Sequence, residues 1–201
     1  MFWKKGKNED FRNVIDAKKI PAKGDLLIAQ PGLIEETFNR TVIQLTVFSE
    51  EEGAVGFVVN RPTTSKVHDL VPEFPTSNYT VYDGGPVQND GLYFIHSVGE
   101  LIPDSIHIRG SLYWSGDFET VEKLVASKSI FPEQIRFYRG YSGWSAGQLE
   151  SELNENSWYV IDHRHINPLM EPPTMMWKNI LLRMEPKYRI WANSPSNPIF
   201  N

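Results

Sequence analysis

The 201-residue sequence contains no cysteine, which excludes disulfides, thiolate metal ligands and a cysteine nucleophile. It also lacks any apolar run close to the roughly 20 residues that a membrane-spanning helix requires. The first twenty residues are rich in lysine and have no continuous apolar segment, so they do not resemble a secretory signal. We therefore expect a cytoplasmic protein that does not associate with a membrane.

Basic residues are fewer than acidic ones. The sequence has 20 basic and 25 acidic residues, which gives a net charge of −5 and a pI near 5.6. No overall positive field attracts phosphate backbones, and no helix-turn-helix or aromatic–basic signature is present. A Walker-type nucleotide loop is excluded because no Gly-Lys-Ser/Thr ending occurs. Direct nucleic-acid binding is not favoured.

The remaining composition, with 40% hydrophobic and 12% aromatic residues, is typical of a folded globular protein. Its length suits one domain, which we assign to residues 24–201, after an N-terminal extension over residues 1–23 that is able to form one short helix. Short β-branched runs predict strands at residues 26–29, 41–48, 54–60, 79–82, 92–96, 135–141 and 158–161. Helices are predicted after Asp117 as N-cap, from Ser145 to about Glu155, and from Pro173. This order predicts an α+β fold with a helix-covered sheet.

Residues 138–153, "YRGYSGWSAGQLESEL", contain the pattern Gly-x-Ser-x-Gly around Ser145, between a predicted strand and a predicted helix. In that context the pattern is typical of a nucleophile elbow. However, Asp162, His163 and His165 follow too closely to be the acid and base of that fold. The alternative is a capping box, in which Ser145 caps the helix and Gln148 reaches back to it. We favour the capping box, with Trp144 packed under the turn and Glu150, Glu152 and Glu155 facing outward.

Three other places carry candidate groups. Arg61, between a predicted strand and Pro62, would either point its guanidinium into a cleft or pair with an internal acid, and Arg40 has the same two possibilities. The segment Asp83-Gly84-Gly85-Pro86 is either a structural turn alone, which we favour, or a turn whose two glycine amides are open to a ligand. His96 ends the run "LYFIH", where a histidine is usually a hydrogen-bonded core residue and occasionally an acid–base group.

His163 and His165 would share one face of a strand and offer two metal positions. No third ligand is evident nearby, and the sequence therefore predicts neither a metal site nor a cofactor.

The segments "GDLLIAQP", "GAVGFVVNRP", "GGPVQNDGLYFIH" and "GWSAGQLE", in this order and spacing, resemble the AlgH/YqgE family of bacterial proteins. The resemblance covers residues from about 24 to 201. It implies an α/β protein with a curved, partly barrel-like mixed sheet flanked by helices. The family pattern does not require serine at Ser145, which weakens the hydrolase alternative. Some members carry a transcription-regulator label, so the resemblance also suggests a DNA-associated regulator.

Taken together, these features predict a non-catalytic cytoplasmic regulatory or binding protein with one cleft for a small anionic ligand or an acidic segment of a protein partner. The alternatives are a hydrolase-like enzyme using Ser145 or His96, and a DNA-associated transcriptional regulator. The sequence gives no oligomeric state. The candidate ligand-binding residues are Arg40, Asn60, Arg61, Gly84, Gly85, Tyr141, Trp144 and Gln148.

Overall fold

Most strands of the protein are short apolar segments. The computed structural model describes residues 20–33, 35–162, 166–184 and 186–193. Nearly all of the predicted N-terminal extension, together with His163 and His165, lies outside these residues.

The strands are β1 Leu26–Ala29, β2 Val42–Ser49, β3 Gly53–Val58, β4 Pro62–Lys66, β5 Thr80–Asp83, β6 Val87–His96, β7 Ile106–Arg109, β8 Leu112–Trp114, β9 Ile135–Trp144 and β10 Trp158–Ile161. The helices are α1 Val67–Leu70, α2 Phe118–Ala126, α3 Gln148–Asn154, α4 Pro173–Arg183 and α5 Pro186–Ala192.

The strands form one sheet in the order β10-β1-β2-β3-β9-β6-β8-β7, with β5 paired to β9 and β4 paired to β5. Every pair is antiparallel except β5 with β9, so the sheet is mixed. The long strand β9 has three partners. Its first half lies between β5 and β6, and its last residues, Ser142–Trp144, pair with β3. The predicted α+β single domain is confirmed.

The sheet is buried on both faces, as continuous apolar strands require. In β1, Leu26 and Ile28 face a core that includes Met176 and Trp177 of α4, whereas Leu27 faces the opposite side. That opposite side is covered in two places. α3 covers it at β1, β2, β3 and β10, and α2 covers it at β5, β6 and β9. Each fully buried Leu or Ile side chain contributes about 1.5–3 kcal/mol by leaving water.

The two ends of the sheet approach each other through side chains. Arg109, the last residue of β7, places Nη1 3.4 Å from Oδ1 of Asp25, just before β1. Its Nη2 lies 3.9 Å from Oδ2 of Asp162, just after β10. Gly24 allows this approach, because a Cβ there would lie 2.8 Å from Cβ of Arg109. The sheet is therefore curved, and among the described residues no backbone pairing of β7 closes it into a barrel.

The sequence missed β4, β7, β8, α1 and α5. β4 is the polar segment "PTTSK", and β7 and β8 have only four and three residues, so their apolar patterns are too short to be recognised. The N-cap of α2 is confirmed, since Asp117 Oδ2 accepts a hydrogen bond from Thr120 N at 2.8 Å. α4 begins at Pro173 as predicted. None of the described helices is long and apolar enough to cross a membrane.

We expect Arg109→Gln to lower the free energy of unfolding by about 2 kcal/mol, because the carboxylate of Asp25 is fully buried and loses a cationic partner. Urea unfolding measures this change, with Arg139→Gln as a control at an exposed arginine of β9. Equal stability of the two variants would show that the contact between the ends of the sheet contributes nothing.

Candidate functional site

The connection from β3 to β4 contains Asn60 and Arg61, and the side chain of Asn60 fixes it to the start of β2. Asn60 Oδ1 accepts from Val42 N at 2.8 Å, and Nδ2 donates to Arg40 O at 2.9 Å. Arg40 has a φ of 55°, so its carbonyl belongs to a tight turn before β2. Asn60 therefore has a structural role that holds two strands and one turn in register.

The guanidinium of Arg61 is bound to backbone carbonyls. Nη1 donates to Thr37 O, and Nη2 donates to Glu36 O at 2.9 Å and to Asn39 O at 3.1 Å. Burial lowers the pKa of Arg61, and the nearby carboxylates of Asp83 and Glu36 partly oppose this change. The side chain thus remains a cation whose main contacts fasten the 36–39 turn against the end of β3.

A hollow of about 250 Å³ opens beside this arginine. One wall is the fastened turn and the other is the segment that follows β5. The residues lining it are Glu36, Thr37, Val58, Arg61, Asp83, Gly85, Pro86 and Asn89. Of the sequence-predicted site residues, Arg61 and Gly85 line the hollow. Glu36, Asp83 and Asn89 were not assigned to a site from sequence, since only the fold brings these turn and strand-end residues together.

The double-glycine turn is required by close packing against β9. A Cβ on Gly84 would lie 2.4 Å from Gly140 O, and one on Gly85 would lie 2.4 Å from the carbonyl carbon of Tyr141. Gly85 also has a φ of 145°, which favours glycine. The Gly84 amide donates to Arg139 O at 2.9 Å. The Gly84 amide is therefore not open to a ligand, because β9 already uses it, and this agrees with the favoured structural role of the turn.

Trp144 and Gln148 belong to a different cluster, centred on Glu152 of α3. Glu152 Oε2 accepts from Trp144 Nε1 at 2.9 Å and from Trp158 Nε1 at 2.8 Å, while Oε1 accepts from Gln148 Nε2 at 3.0 Å. The prediction that Glu152 faces outward is therefore wrong. The signal that was missed is chemical, since two buried indoles each need an acceptor.

The capping box predicted for α3 is only half present. Gln148 Oε1 accepts from Ser145 N at 3.1 Å, as predicted. The helix begins later than predicted, at Gln148, and its N-cap is Gly147 in a left-handed conformation, with no side-chain cap. The prediction that the Ser145 hydroxyl caps the helix is wrong because the helix starts three residues after it.

Arg40 and Tyr141 lie in aromatic contacts, and neither lines the hollow. The guanidinium carbon of Arg40 sits 4.9 Å from the centre of the Trp177 ring. Tyr141 packs edge-to-face on Tyr93, with ring centres 5.7 Å apart. The eight candidate residues thus do not form one cleft. Arg61 and Gly85 converge, Asn60 and Gly84 support them, and the other four lie elsewhere.

A family model described as AlgH-like matches residues 26–189. The chain belongs to the AlgH-like family. Its similar relatives include a UPF0301 protein of Chlorobium limicola, 40% identical over 89% of this chain and 95% of the relative. Another UPF0301 protein, from Cytophaga hutchinsonii, is 36% identical over 89% of this chain and 98% of the relative.

Two solved structures have the fold of this AlgH-like protein. The solution structure of the AlgH protein from Pseudomonas aeruginosa matches with a TM-score of 0.66 and 29% identity, over 82% of this chain and 92% of that one. The crystal structure of protein DIP2367 from Corynebacterium diphtheriae matches with a TM-score of 0.71, over 88% of this chain and 94% of that one. At 20% identity, the second match shows the fold alone.

The two reactive groups considered for catalysis lie far apart in this AlgH-like protein. His96 pairs with Ile135 at the first residue of β9, whereas Ser145 follows its last residue. A straight strand of that length spans roughly 30 Å, at about 3.3 Å per residue, so the two groups lie beside opposite ends of β9. This placement gives no support to a nucleophile–base pair. Among the described residues, no group of three or more His, Cys, Asp or Glu side chains is placed to hold a metal.

His96 is fully buried, with Nε2 3.0 Å from Ser115 O and 3.3 Å from Ser105 Oγ. Its Nδ1 has no hydrogen-bond partner within the described part of the chain. Burial lowers the pKa of His96, and the bond to Ser115 only partly opposes this. The ring is therefore a neutral core group.

We expect acid to destabilise this AlgH-like protein through His96. The unfolded chain binds a proton near the ordinary histidine pKa of about 6.5, whereas the folded chain binds it only at lower pH. The contribution of His96 to the free energy of unfolding is thus constant above about pH 6.5 and becomes increasingly unfavourable as the pH falls below it. Urea unfolding at pH 7.5 and 5.5 should show that His96→Gln loses less of its free energy of unfolding between these two pH values than wild type does. The exposed-site control His107→Gln should keep the wild-type loss.

We also expect Glu152→Ala to lower the free energy of unfolding by about 2–4 kcal/mol, because two buried indole N–H groups lose their acceptor. Thermal and urea unfolding measure the effect. Glu155→Ala, at an exposed position of the same segment, should change stability by no more than about 0.5 kcal/mol. A similar small change for Glu152→Ala would contradict the assigned role.

Proposed function

We propose that this AlgH-like protein is a non-catalytic cytoplasmic binding protein whose hollow beside Arg61 receives a small polar group. The observation that carries the proposal is the hollow itself, which has a fastened wall and charged side chains. Its volume of about 250 Å³ is below the usual range of 300–1,000 Å³ for ligand pockets. It therefore suits a small molecule of few atoms or one side chain of a protein partner.

The charges of the hollow favour a cation over the anion expected from the sequence. Arg61 supplies one positive charge, whereas Glu36 and Asp83 supply two negative charges. The guanidinium already donates to three carbonyls, so an anion would gain little from it and would face both carboxylates. A primary amine or a guanidinium pairs with carboxylates by charge-assisted hydrogen bonds. We accordingly propose a small amine, or a basic side chain of a partner, as the ligand.

The two alternative functions draw no support from this hollow. A hydrolase would need a base near Ser145, and a DNA-associated regulator would need a positive surface. The cytoplasmic location stays a prediction from the sequence.

We expect putrescine and arginine to bind with a Kd on the order of 1 mM, since a ligand this small has few atoms with which to gain affinity. Amide chemical shifts of labelled protein would move at Gly85 and Asn89. Asp83→Asn should weaken binding by about fivefold or more, because it removes one of the two carboxylates.

Asp104→Asn is the matched control, since Asp104 is exposed and outside the hollow. Succinate and phosphate should leave the shifts unchanged. Binding of succinate or phosphate without binding of the amines would instead support the anionic ligand expected from the sequence. The absence of a chemical-shift change with every compound would refute the proposal of a small ligand.

A further inference from the structure

A second concavity lies on the α2 side of the sheet, away from the residues of the hollow. It is a groove of about 440 Å³ between residues 75–79, the end of α2 and residues 130–132. This volume falls within the range of small-molecule sites. The lining residues are Pro75, Thr76, Ser77, Asn78, Tyr79, Val125, Ala126, Lys128, Ile130, Phe131 and Pro132.

The walls of the groove are mainly apolar and firmly held. Val125 and Ile130 are buried side chains of the core beneath it. Tyr79 packs edge-to-face on Phe137 and donates its hydroxyl to Ile130 O at 2.7 Å. Phe131, by contrast, is 57% exposed at the groove, although a large aromatic ring is normally buried. This wall favours an apolar body in a ligand.

Two polar side chains contribute to the wall of the groove. The Oγ of Ser77 is buried and has no hydrogen-bond partner among the described residues, which is costly for a hydroxyl. Lys128 is exposed, and it supplies the charge among the lining residues that the structure describes. The Tyr79 hydroxyl is not available, because burial raises its pKa, with a smaller contribution from Glu133, and its proton is donated to Ile130.

We propose that this groove binds a small carboxylic acid with an apolar body, such as an arylacetic acid or a medium-chain fatty acid. The apolar body lies against Phe131 and Ile130. The exposed ammonium of Lys128 supplies the opposite charge to the carboxylate, and rotation of the Ser77 side chain brings its buried hydroxyl round to donate to a carboxylate oxygen. This pairing satisfies the buried hydroxyl and covers the exposed aromatic ring in one step. The site is independent of the amine proposed at Arg61.

The test uses phenylacetate and octanoate as probes on the full chain, with phenylacetamide as the uncharged match of phenylacetate. Isothermal titration and amide chemical shifts should show binding of both acids, with shifts at Ser77, Lys128 and Phe131. We expect the amide to bind at least about fivefold more weakly than the acid, since it loses the charge pairing with Lys128. Putrescine should leave these three residues unshifted.

Three variants test which side chains of the groove contact phenylacetate. Lys128→Gln and Ser77→Ala should each weaken phenylacetate about three- to tenfold, through loss of a charge and of a hydrogen bond respectively. Ala126→Phe should abolish binding by filling the groove, and it should fold because Ala126 is exposed. Lys123→Gln is the charge-matched control, since Lys123 lies on the same helix, pairs with Glu119 and does not line the groove.

Three results would overturn the proposal. The first is the absence of binding of either acid to the wild type at millimolar concentration. The second is unchanged binding to Ala126→Phe, which would place the acid elsewhere. The third is equal affinity for phenylacetate and phenylacetamide, which would refute the carboxylate as the recognised group.

Discussion

The arrangement of this protein depends on β9 changing its partner halfway along. On one edge its residues 137–139 pair with β5, and its residues 142–144 pair with β3. Between these two segments lies Gly140, with a φ of 63°, where a Cβ would come within 2.5 Å of Gly85 O. Three backbone segments meet at this point, and only glycine fits there. β3 and β5 share this edge of β9, and their ends are joined where they meet, since Val58 N donates to Gly84 O at 2.9 Å. The hollow lies beside this junction, with Val58 of β3 and Asp83 of β5 among its lining residues.

The charged side chain of Arg61 holds the protein's own backbone in place. Its guanidinium loses water on burial, and three carbonyl oxygens of the 36–39 turn replace that hydration. The positive charge of Arg61 is therefore directed at the backbone carbonyls that form the wall of the hollow. Glu36 and Asp83 also line the hollow, and their negative charges partly oppose the effect of burial on the pKa of Arg61. The proposed preference for a cationic ligand therefore rests on how the arginine is held, which its position in the sequence does not reveal.

Much of the fold could be predicted from local patterns, and the site could not. β1 and β10 were predicted to the residue, because each is four apolar residues bounded by turn residues. The N-cap at Asp117 and the start of α4 at Pro173 follow from local hydrogen bonding and backbone geometry. In contrast, the hollow combines a turn near residue 36 with a strand end near residue 83, and such a pairing depends on the whole sheet. Glu152 was misplaced for a similar reason. The two indoles that donate hydrogen bonds to Glu152, those of Trp144 and Trp158, lie on two different strands. The spacing of residues along the helix does not reveal that these strands face it.

The residues by which this chain resembles its family are largely explained by packing. Gly84 and Gly85 permit contact with β9, Asn60 holds the start of β2, and Gln148 joins the network around Glu152. Each of these roles would be needed whatever the protein binds. Glu36 and Asp83, which give the hollow its negative charge, lie beside Arg61 and Gly85 in its lining. A motif made of structural residues identifies the fold, and it does not include the two carboxylates of the hollow. This separation explains why a strong family match specifies the architecture of this protein and does not specify a ligand.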